Sequence, residues 1–490
     1  MPGQKRLGPA ARSFGTYRLL TQLISWTVTV MVARILRPED YGLMAIASLF
    51  TGYVEVFSEL GLGAAIVQRI EITQAELSSN FWLSVLVGIV LAILTIPLAY
   101  VTAWAFHDPR VLGITESISV LFLSGGLMVV PFNLLLRDMR FGAIGASQLA
   151  GAVVAGISMF WFAYHGFGVW TLILGAILLR FTTMGMVFAM SGWRPNLHFA
   201  FREVRPFLRF GVNVAAARSA YYVFQKADKF LVGKVLGPAA LGHYSFAMDL
   251  ASAPNDRVIA AANQFSFPVF ARRQSEPELL RSTFLKVSRY IAWIALPIYL
   301  GGAAFGGLLT PILGAKWAPA ISLFRFFCLA YLAISATSLT SVLQNAVGRS
   351  RAVLLFDLAS IAVVAPCIYV AAHFGLAALV LPWVLVYPVM LGLWTVATLR
   401  VASIPAREYL GVFRTPILAS AVMVAGVALA QKLLEMLGVA VGDGHAALLA
   451  AALFGITLYA GALFALERRA ILELWSQRKS RRPSSTTPTS

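Results

Sequence analysis

Long apolar runs recur along this chain from residue 14 to residue 466. Segments such as 81–100 are apolar on every face and lack the period-two alternation of a β-barrel strand. In helical conformation, a run of about 20 residues crosses a hydrocarbon core roughly 30 Å thick. The pattern therefore predicts an all-α, polytopic membrane protein.

We predict about fourteen transmembrane helices, arranged as two groups of six and a final pair. The groups define one lobe at 1–200, a second lobe at 201–405, two extra helices at 406–466 and a disordered basic cytoplasmic tail at 467–490. The individual spans lie near 14–33, 42–64, 81–106, 111–134, 143–164, 167–190, 210–233, 241–265, 288–310, 319–346, 352–373, 376–399, 412–434 and 445–466.

The amino-acid composition is that of a protein surrounded by membrane lipid. Only 12% of the residues are charged and 59% are hydrophobic, with a mean hydropathy of +0.78, whereas soluble proteins carry about 25% charged residues. The net charge of +18 does not indicate nucleic-acid binding, because the basic residues are spread over many short loops. Membrane lipids are the predicted surroundings.

The distribution of basic residues predicts the orientation. If the amino terminus is cytoplasmic, most of the 39 Lys and Arg residues lie in cytoplasmic segments, as the positive-inside rule requires. Both termini are then cytoplasmic. Six basic residues lie on the opposite side: Arg34, Arg37, Arg110, Lys234, Lys316 and Lys432.

The chain contains an internal repeat at a shift of 200 positions, without a gap. An even number of helices separates the two copies, so both have the same orientation and form parallel halves related by an axis along the membrane normal. Such halves leave a cleft that can open to either side. The matched pairs are Arg18 with Arg218, Val32 with Val232, Leu36 with Leu236, Pro38 with Pro238, Gly42 with Gly242 and Ala47 with Ala247.

Polar residues form a matching stripe on the first helix of each copy. An ionised group at membrane depth costs about 2.5–3.5 kcal/mol, so such groups face a wet cavity or a partner. At about 100° per residue, the residues of each stripe share one narrow sector. The first stripe is Arg18, Gln22, Ser25 and Thr29, and the second is Arg218, Tyr222, Gln225 and Lys229, flanked by Lys226 and Asp228.

These residues predict a cationic cavity for an anionic cargo, with Arg325 as a further binding residue on a later helix. The acids that can exchange a coupling ion are Glu55, Glu59, Asp228 and Asp249. A structural alternative stays open, in which Lys226 or Lys229 simply forms an ion pair with Asp228.

Several stretches resemble the polysaccharide transporter family of Wzx-type flippases, and most closely its colanic-acid and exopolysaccharide branch. The first-half stretches are ARILRPEDYG at 33–42, ELGLG at 59–63 and QR at 68–69. LRDMRF at 136–141 is also similar, as are ADK at 227–229, GKVLGP at 233–238 and Gly242 in the second half.

The resemblance implies the fold of the multidrug/oligosaccharidyl-lipid/polysaccharide exporter superfamily in a bacterial inner membrane. It also implies that the substrate is an oligosaccharide on undecaprenyl diphosphate, flipped by alternating access for exopolysaccharide or lipopolysaccharide biosynthesis. A polymerase and other polysaccharide-assembly proteins are the partners that follow from this. The substrate-binding residues predicted from helix geometry are Arg18, Arg218, Tyr222, Gln225, Lys226, Lys229 and Arg325.

Three other functions are weighed against this one. A lipid II flippase shares the substrate chemistry, and a cation-coupled drug antiporter of the same superfamily favours an acidic cavity. A polymerase or ligase needs a sizeable outer loop, whereas the predicted outer loops are short. The sequence has no Gly-rich Lys-Ser/Thr loop and no His-Glu-x-x-His motif, and its two cysteines, Cys328 and Cys367, lie in apolar runs. We therefore predict no cofactor, no metal, no catalytic residue and no enzymatic activity.

Overall fold

The computed structural model describes residues 7–58, 63, 66–67, 71–201, 222, 226–436 and 445–480. Within these residues the regular secondary structure is helical and no β-strand occurs, which confirms the all-α prediction. The chain divides into two compact units, and each is described by itself.

The first unit comprises Met1–Phe246 and Ile368–Leu376. Among the described residues it contains seven helices and the beginning of an eighth. The seven are α1 (Leu7–Ile35), α2 (Pro38–Ser58), α3 (Gln74–Phe106), α4 (Arg110–Ile118), α5 (Val120–Arg137), α6 (Phe141–Tyr164) and α7 (Trp170–Ser191).

The eighth helix, α8 (Ala227–Pro254), is broken at Gly237, where φ is 81°. Such a φ is readily adopted only by glycine, so α8 consists of two limbs joined by a turn. The first limb and the start of the second belong to the first unit, and the boundary falls after Phe246. The predicted lobe boundary at 200–201 stays a prediction, because the units follow spatial contacts rather than the sequence repeat.

The second unit comprises Ala247–Cys367 and Ala377–Ser490. Polar side chains join its helices in the apolar interior: the Gln344 amide donates to Thr398 Oγ1 at 3.2 Å, and the Trp394 indole donates to Ser341 Oγ at 3.2 Å. Its helices are α9 (Ala260–Arg272), α10 (Pro277–Phe305), α11 (Ala318–Ala346), α12 (Ser350–Ala372), α13 (Tyr387–Val401), α14 (Ala406–Met436) and α15 (His445–Ser480). The last residues of α12, from Ile368, belong to the first unit.

Ten helical stretches among the described residues are long and apolar enough to cross a membrane. The chain is therefore a multi-pass membrane protein, while the predicted count of fourteen is not confirmed. The α1 and α2 helices and the two limbs of α8 are not among the ten. These are the helices on which the sequence predicts polar stripes and embedded acids.

The segment that follows α7 is hydrogen-bonded to the start of α3. A capping box formed by Thr73 and Glu76 begins α3 and satisfies its first backbone donors. Two residues further on, the Ser78 hydroxyl accepts from the backbone N–H of Asn196 at 3.0 Å. The Trp82 indole donates to the carbonyl of Asn196 at 2.9 Å. The segment between the two repeat copies is thus fixed along the first turns of α3 as far as residue 200.

Two glycines bring α3 and α5 into backbone contact. A Cβ added to Gly126 would lie 2.3 Å from the carbonyl oxygen of Ser84, and one added to Gly88 would lie 2.6 Å from the carbonyl oxygen of Phe122. Small residues at such crossings allow helices to pack closely where the hydrophobic effect does not drive association. The α3–α5 crossing therefore depends on the absence of side chains.

We expect Gly126→Ala to lower the thermal unfolding midpoint of the protein in detergent, because overpacking costs about 1–3 kcal/mol. Gly185→Ala is the matched control, since a Cβ at Gly185 meets open space in the middle of α7. Equal midpoints for the two variants would contradict this account of the crossing.

Candidate functional site

The break at Gly237 places a buried carboxylate of the first limb against a tyrosine of the second. Asp228 is 6% exposed and Tyr244 is fully buried. The Tyr244 hydroxyl donates to Asp228 Oδ2 at 3.0 Å, while Oδ1 is buried without a hydrogen bond. A buried carboxylate is costly unless it is hydrogen-bonded or paired with a charge. This pair is therefore a first candidate for function rather than packing.

Two lysines surround that carboxylate. Both Lys226 and Lys229 are half-buried and interact electrostatically with Asp228. The Lys226 ammonium lies 6.0 Å from the centre of the Tyr222 ring, at the outer range of a cation–π interaction. We call Tyr222, Lys226, Asp228, Lys229 and Tyr244 the polar cluster. With two ammonium groups and one carboxylate, its charge is positive when all three are ionised.

The polar cluster is attached to α2. The Tyr222 hydroxyl donates to the carbonyl oxygen of Ser48 at 3.0 Å. A Cβ added to Gly52 would lie 2.1 Å from the same hydroxyl oxygen, so α2 accommodates the tyrosine only because position 52 lacks a side chain. The cluster and α2 thus form one packed arrangement inside the first unit.

The structure places three of the predicted binding residues, Tyr222, Lys226 and Lys229, in the polar cluster. Arg18 is exposed on α1 of the same unit. Arg325 belongs to the second unit, where it is exposed and its Nε donates to the carbonyl of Ala303 at 2.8 Å. The two remaining residues of that prediction, Arg218 and Gln225, lie outside the described residues.

The predicted ion-coupling acids are also divided. Asp228 belongs to the polar cluster, and Asp249 is exposed in the second unit. Glu59 lies outside the described residues, and for Glu55 only the backbone in α2 is described. Among the acids whose side chains are described, Asp228 is the one that lies beside the predicted cations.

The hydroxyls of the predicted stripe on α1 bond within their own helix. Ser25 Oγ donates to the carbonyl of Thr21 at 2.8 Å, and Thr29 Oγ1 donates to that of Ser25 at 2.7 Å. Their hydrogens are therefore committed to backbone carbonyls and only the oxygen lone pairs stay available. These two hydroxyls offer acceptors, whereas the lysines of the polar cluster offer cations.

Tyr244 is a functional candidate that the sequence analysis missed. Under the shift of 200, Asp228 corresponds to Val28 and Tyr244 to Met44. The first copy therefore has two apolar residues where the second has a hydrogen-bonded acid and phenol. A comparison of the two copies at the positions where they differ would have identified Tyr244. Since apolar residues serve at the related positions, the fold does not require the polar pair.

The second unit has an apolar pocket of about 360 Å³. Its wall is formed by α10, α14 and α15, together with Phe324 of α11. A pocket of this composition accepts a hydrocarbon chain and excludes a charged group. Residues that line it include Pro297, Gly301, Met423, Gly455 and Tyr459.

We expect Tyr244→Phe to destabilise the protein, since hydrogen bonds to charged groups contribute about 1.5–3 kcal/mol. Thermal unfolding in detergent measures the change. Tyr100→Phe, at an exposed position of α3, is the control. An unchanged midpoint for Tyr244→Phe would show that the hydroxyl adds nothing to the buried carboxylate.

The fold is that of known membrane transporters. The structure of "Lipid II flippase MurJ, inward closed conformation" superimposes with a TM-score of 0.69 and 14% identity, over 94% of this chain and 99% of that one. This likeness shows the fold alone, an all-α membrane fold that the two chains share.

Sequence comparison shows the family. The family model described as "Polysaccharide biosynthesis protein" matches residues 31–322, more than half of the chain, so this chain belongs to that family. The resemblance inferred from the loop motifs is thereby confirmed.

Two relatives represent the family. "Lipopolysaccharide biosynthesis protein WzxC" of Escherichia coli (strain K12) is 27% identical over 62% of this chain, and the match spans 62% of its own length, less than two thirds. "Succinoglycan biosynthesis transport protein ExoT" of Rhizobium meliloti (strain 1021) is 25% identical over 93% of this chain and 92% of its own length.

Proposed function

We propose that this protein is a flippase that moves an oligosaccharide on undecaprenyl diphosphate from the cytoplasmic to the periplasmic leaflet of a bacterial inner membrane. The observation that carries the proposal is the polar cluster, in which two lysines and one acid are held within a membrane-spanning unit. A surplus of cations at membrane depth suits an anionic cargo such as a diphosphate.

Binding follows from the chemistry of the cluster. Lys226 and Lys229, with Arg218 and Arg18, attract the diphosphate, while Tyr222 and Gln225 contact the sugars. At an effective dielectric constant of about 20, two unit charges 4 Å apart interact by about 4 kcal/mol, compared with about 1 kcal/mol in water. One or two cations therefore suffice to select the headgroup. The acyl chain stays in lipid.

The relatives support the biological role. Their names assign them to lipopolysaccharide biosynthesis and succinoglycan transport, so an exopolysaccharide or lipopolysaccharide repeat unit is the cargo we propose here. Both termini are cytoplasmic in this proposal, in agreement with the charge distribution. The protein acts as a transporter rather than an enzyme, and it delivers its cargo to a polymerase and other polysaccharide-assembly proteins.

We expect Arg218→Ala/Lys229→Ala to abolish polymer export in cells and to slow flipping in proteoliposomes by at least about tenfold, which corresponds to about 1.4 kcal/mol of lost interaction. The assay follows a labelled undecaprenyl-diphosphate oligosaccharide from the inner to the outer leaflet.

The matched control is Arg351→Ala/Lys286→Ala, which removes the same two charge types at exposed positions of the second unit. Membrane levels of all variants are measured by immunoblot. Normal flipping by the Arg218/Lys229 variant would reject the site. A defect in peptidoglycan instead of exopolysaccharide on loss of the protein would point to lipid II as the cargo.

We also propose that transport is coupled to H⁺ or Na⁺ exchange at an acid, with Asp228, Glu55, Glu59 and Asp249 as candidates. Asp228 is the strongest of these, because it is buried and lies beside the cations that bind the cargo. An ion bound at its carboxylate weakens the attraction between this acid and the lysines, so that the lysines attract the diphosphate more strongly.

We expect an imposed ion gradient to accelerate flipping by the wild-type protein and to have no effect on Asp228→Asn. Asp357→Asn, in α12 of the second unit, is the control and should keep the response. Separate proton and sodium gradients across proteoliposomes identify the ion. A wild-type rate that is insensitive to both gradients would dismiss coupling altogether.

A further inference from the structure

A crevice opens between α9 and α10 of the second unit. Its volume is about 290 Å³, and each residue that lines it belongs to these two helices or to the π-helical turn at Asn255–Ile259 before α9. On both helices the lining residues recur every three or four positions, so one face of each helix forms a wall. The two faces include Ala262, Ser266 and Val269 of α9 and Val287, Ile291 and Ile294 of α10.

The surface of the crevice is almost entirely hydrocarbon. Ser266 and Tyr290 are the two lining residues whose side chains carry polar atoms. The Ser266 hydroxyl donates to the carbonyl of Ala262 in its own helix at 2.7 Å, so its hydrogen is committed. The crevice is open to its surroundings at Phe265, which is 76% exposed. Because a polar ligand would lose its hydrogen bonds here, a hydrocarbon chain is the ligand that fits.

The crevice has the depth of one leaflet of a bilayer. Its wall on α9 extends from Val258 to Val269, a rise of about 16 Å, whereas one leaflet is half of a hydrocarbon core roughly 30 Å thick. The other wall, α10, is long and apolar enough to cross a membrane. The charge distribution places the turn at 273–276, between the two helices, on the cytoplasmic side. An acyl chain of the cytoplasmic leaflet therefore matches the crevice in length.

Two arginines lie where the crevice reaches this turn. Arg272 and Arg273 follow Val269 by three and four residues, so they continue the face of α9 that lines the crevice. Arg273 donates to Thr283 Oγ1 of α10, which fixes its guanidinium between the two helices. Arg272 is exposed, and its side chain has no hydrogen bond or ion pair with the residues that the structure describes. The guanidinium of Arg272 is thus available to an external anion.

The headgroup, rather than the acyl chain, decides which lipid binds here. Lipid tails are as apolar as leucine side chains, so the crevice alone gives no preference among lipids. An arginine does, because its guanidinium pairs with a phosphate through two parallel hydrogen bonds. The charge of the nearby Arg281 is already compensated by Glu408 and Glu278 of the protein itself. The charge of Arg272 is not, so an anionic headgroup is favoured over a zwitterionic one.

We propose that the crevice between α9 and α10 binds one anionic phospholipid of the cytoplasmic leaflet, with an acyl chain along Ala262 and Ser266 and the phosphate at Arg272. A single phosphodiester balances the charge of this arginine, and the position of Arg272 at a helix end suits a headgroup at the bilayer surface. The diphosphate of the cargo is assigned instead to cations at membrane depth in the first unit. The crevice therefore holds a resident lipid, whichever cargo is carried.

Lipid titration tests the headgroup. The full-length protein, stripped of lipid in detergent, receives phosphatidylglycerol or phosphatidylcholine with the same acyl chains, and native mass spectrometry counts the bound lipid. The wild-type protein should bind its first phosphatidylglycerol about fivefold more tightly, which is the effect of one basic residue on an anionic lipid. Arg272→Gln should lose this preference and Arg272→Lys should keep it. Arg351→Gln, at an exposed arginine of α12, is the matched control and should bind as the wild type does.

A side chain that fills the crevice tests the acyl chain. Ala262→Trp should weaken the binding of both lipids, whereas Val363→Trp adds the same indole at an exposed position of α12 outside the crevice and should not. Phosphatidylglycerol should also raise the thermal unfolding midpoint of the wild-type protein and of Val363→Trp, because a ligand that binds the folded state stabilises it. The midpoint of Arg272→Gln, which changes an exposed side chain and leaves the fold intact, should rise less.

Equal binding of the two lipids by the wild-type protein would overturn the proposal, as would unchanged binding of phosphatidylglycerol in both Arg272→Gln and Ala262→Trp. Displacement of phosphatidylglycerol by a smaller amount of undecaprenyl phosphate would assign the crevice to the cargo lipid, and the proposal would fail. Dimers that form when lipid is removed, and that Ala262→Trp abolishes, would assign it to a second copy of the chain. No transport is measured, so failure of this proposal leaves the proposed function standing.

Discussion

The dominant constraint is that hydrocarbon offers no hydrogen bonds, so each backbone donor and acceptor must be satisfied within the protein. Helices meet this requirement locally. Their side-chain hydroxyls do the same, since Ser25 and Thr29 donate to the carbonyls four residues back in α1. Between helices, the remaining way to gain stability is close contact. The glycines of α2, α3, α5 and α8 supply it by letting backbone carbonyls approach.

Much of this fold is predictable because its causes are local. Run length and apolarity predict the helices, and α3, α6 and α7 lie close to their predicted positions. The predicted count of fourteen spans is not confirmed, since ten helical stretches among the described residues have the length and apolarity of a span. Pairing between residues 200 positions apart is not contained in any local pattern. The repeat marked Gly42 and Gly242 as special without showing that they face each other.

The candidate site shows the same limit more sharply. Charge and helical spacing identified Lys226, Asp228 and Lys229, because ionised residues are rare at membrane depth. Tyr244 was not identified from the sequence, because a tyrosine in an apolar run is not unusual. Its contact with Asp228 depends on the turn at Gly237. Arg325 met the same criterion of charge, yet it belongs to the other compact unit and its Nε donates to a backbone carbonyl. Charge alone does not say which cations act together.

The positions at which the two repeat copies match and those at which they differ have different roles. Where the copies agree, at proline and glycine, they make a reciprocal backbone contact. Where they differ, the second copy replaces Val28 and Met44 by Asp228 and Tyr244. Under the proposed function, an acid beside two lysines competes with the diphosphate for them, so that cargo bound tightly enough to be selected is still released. A site of lysines alone would bind the same cargo and hold it.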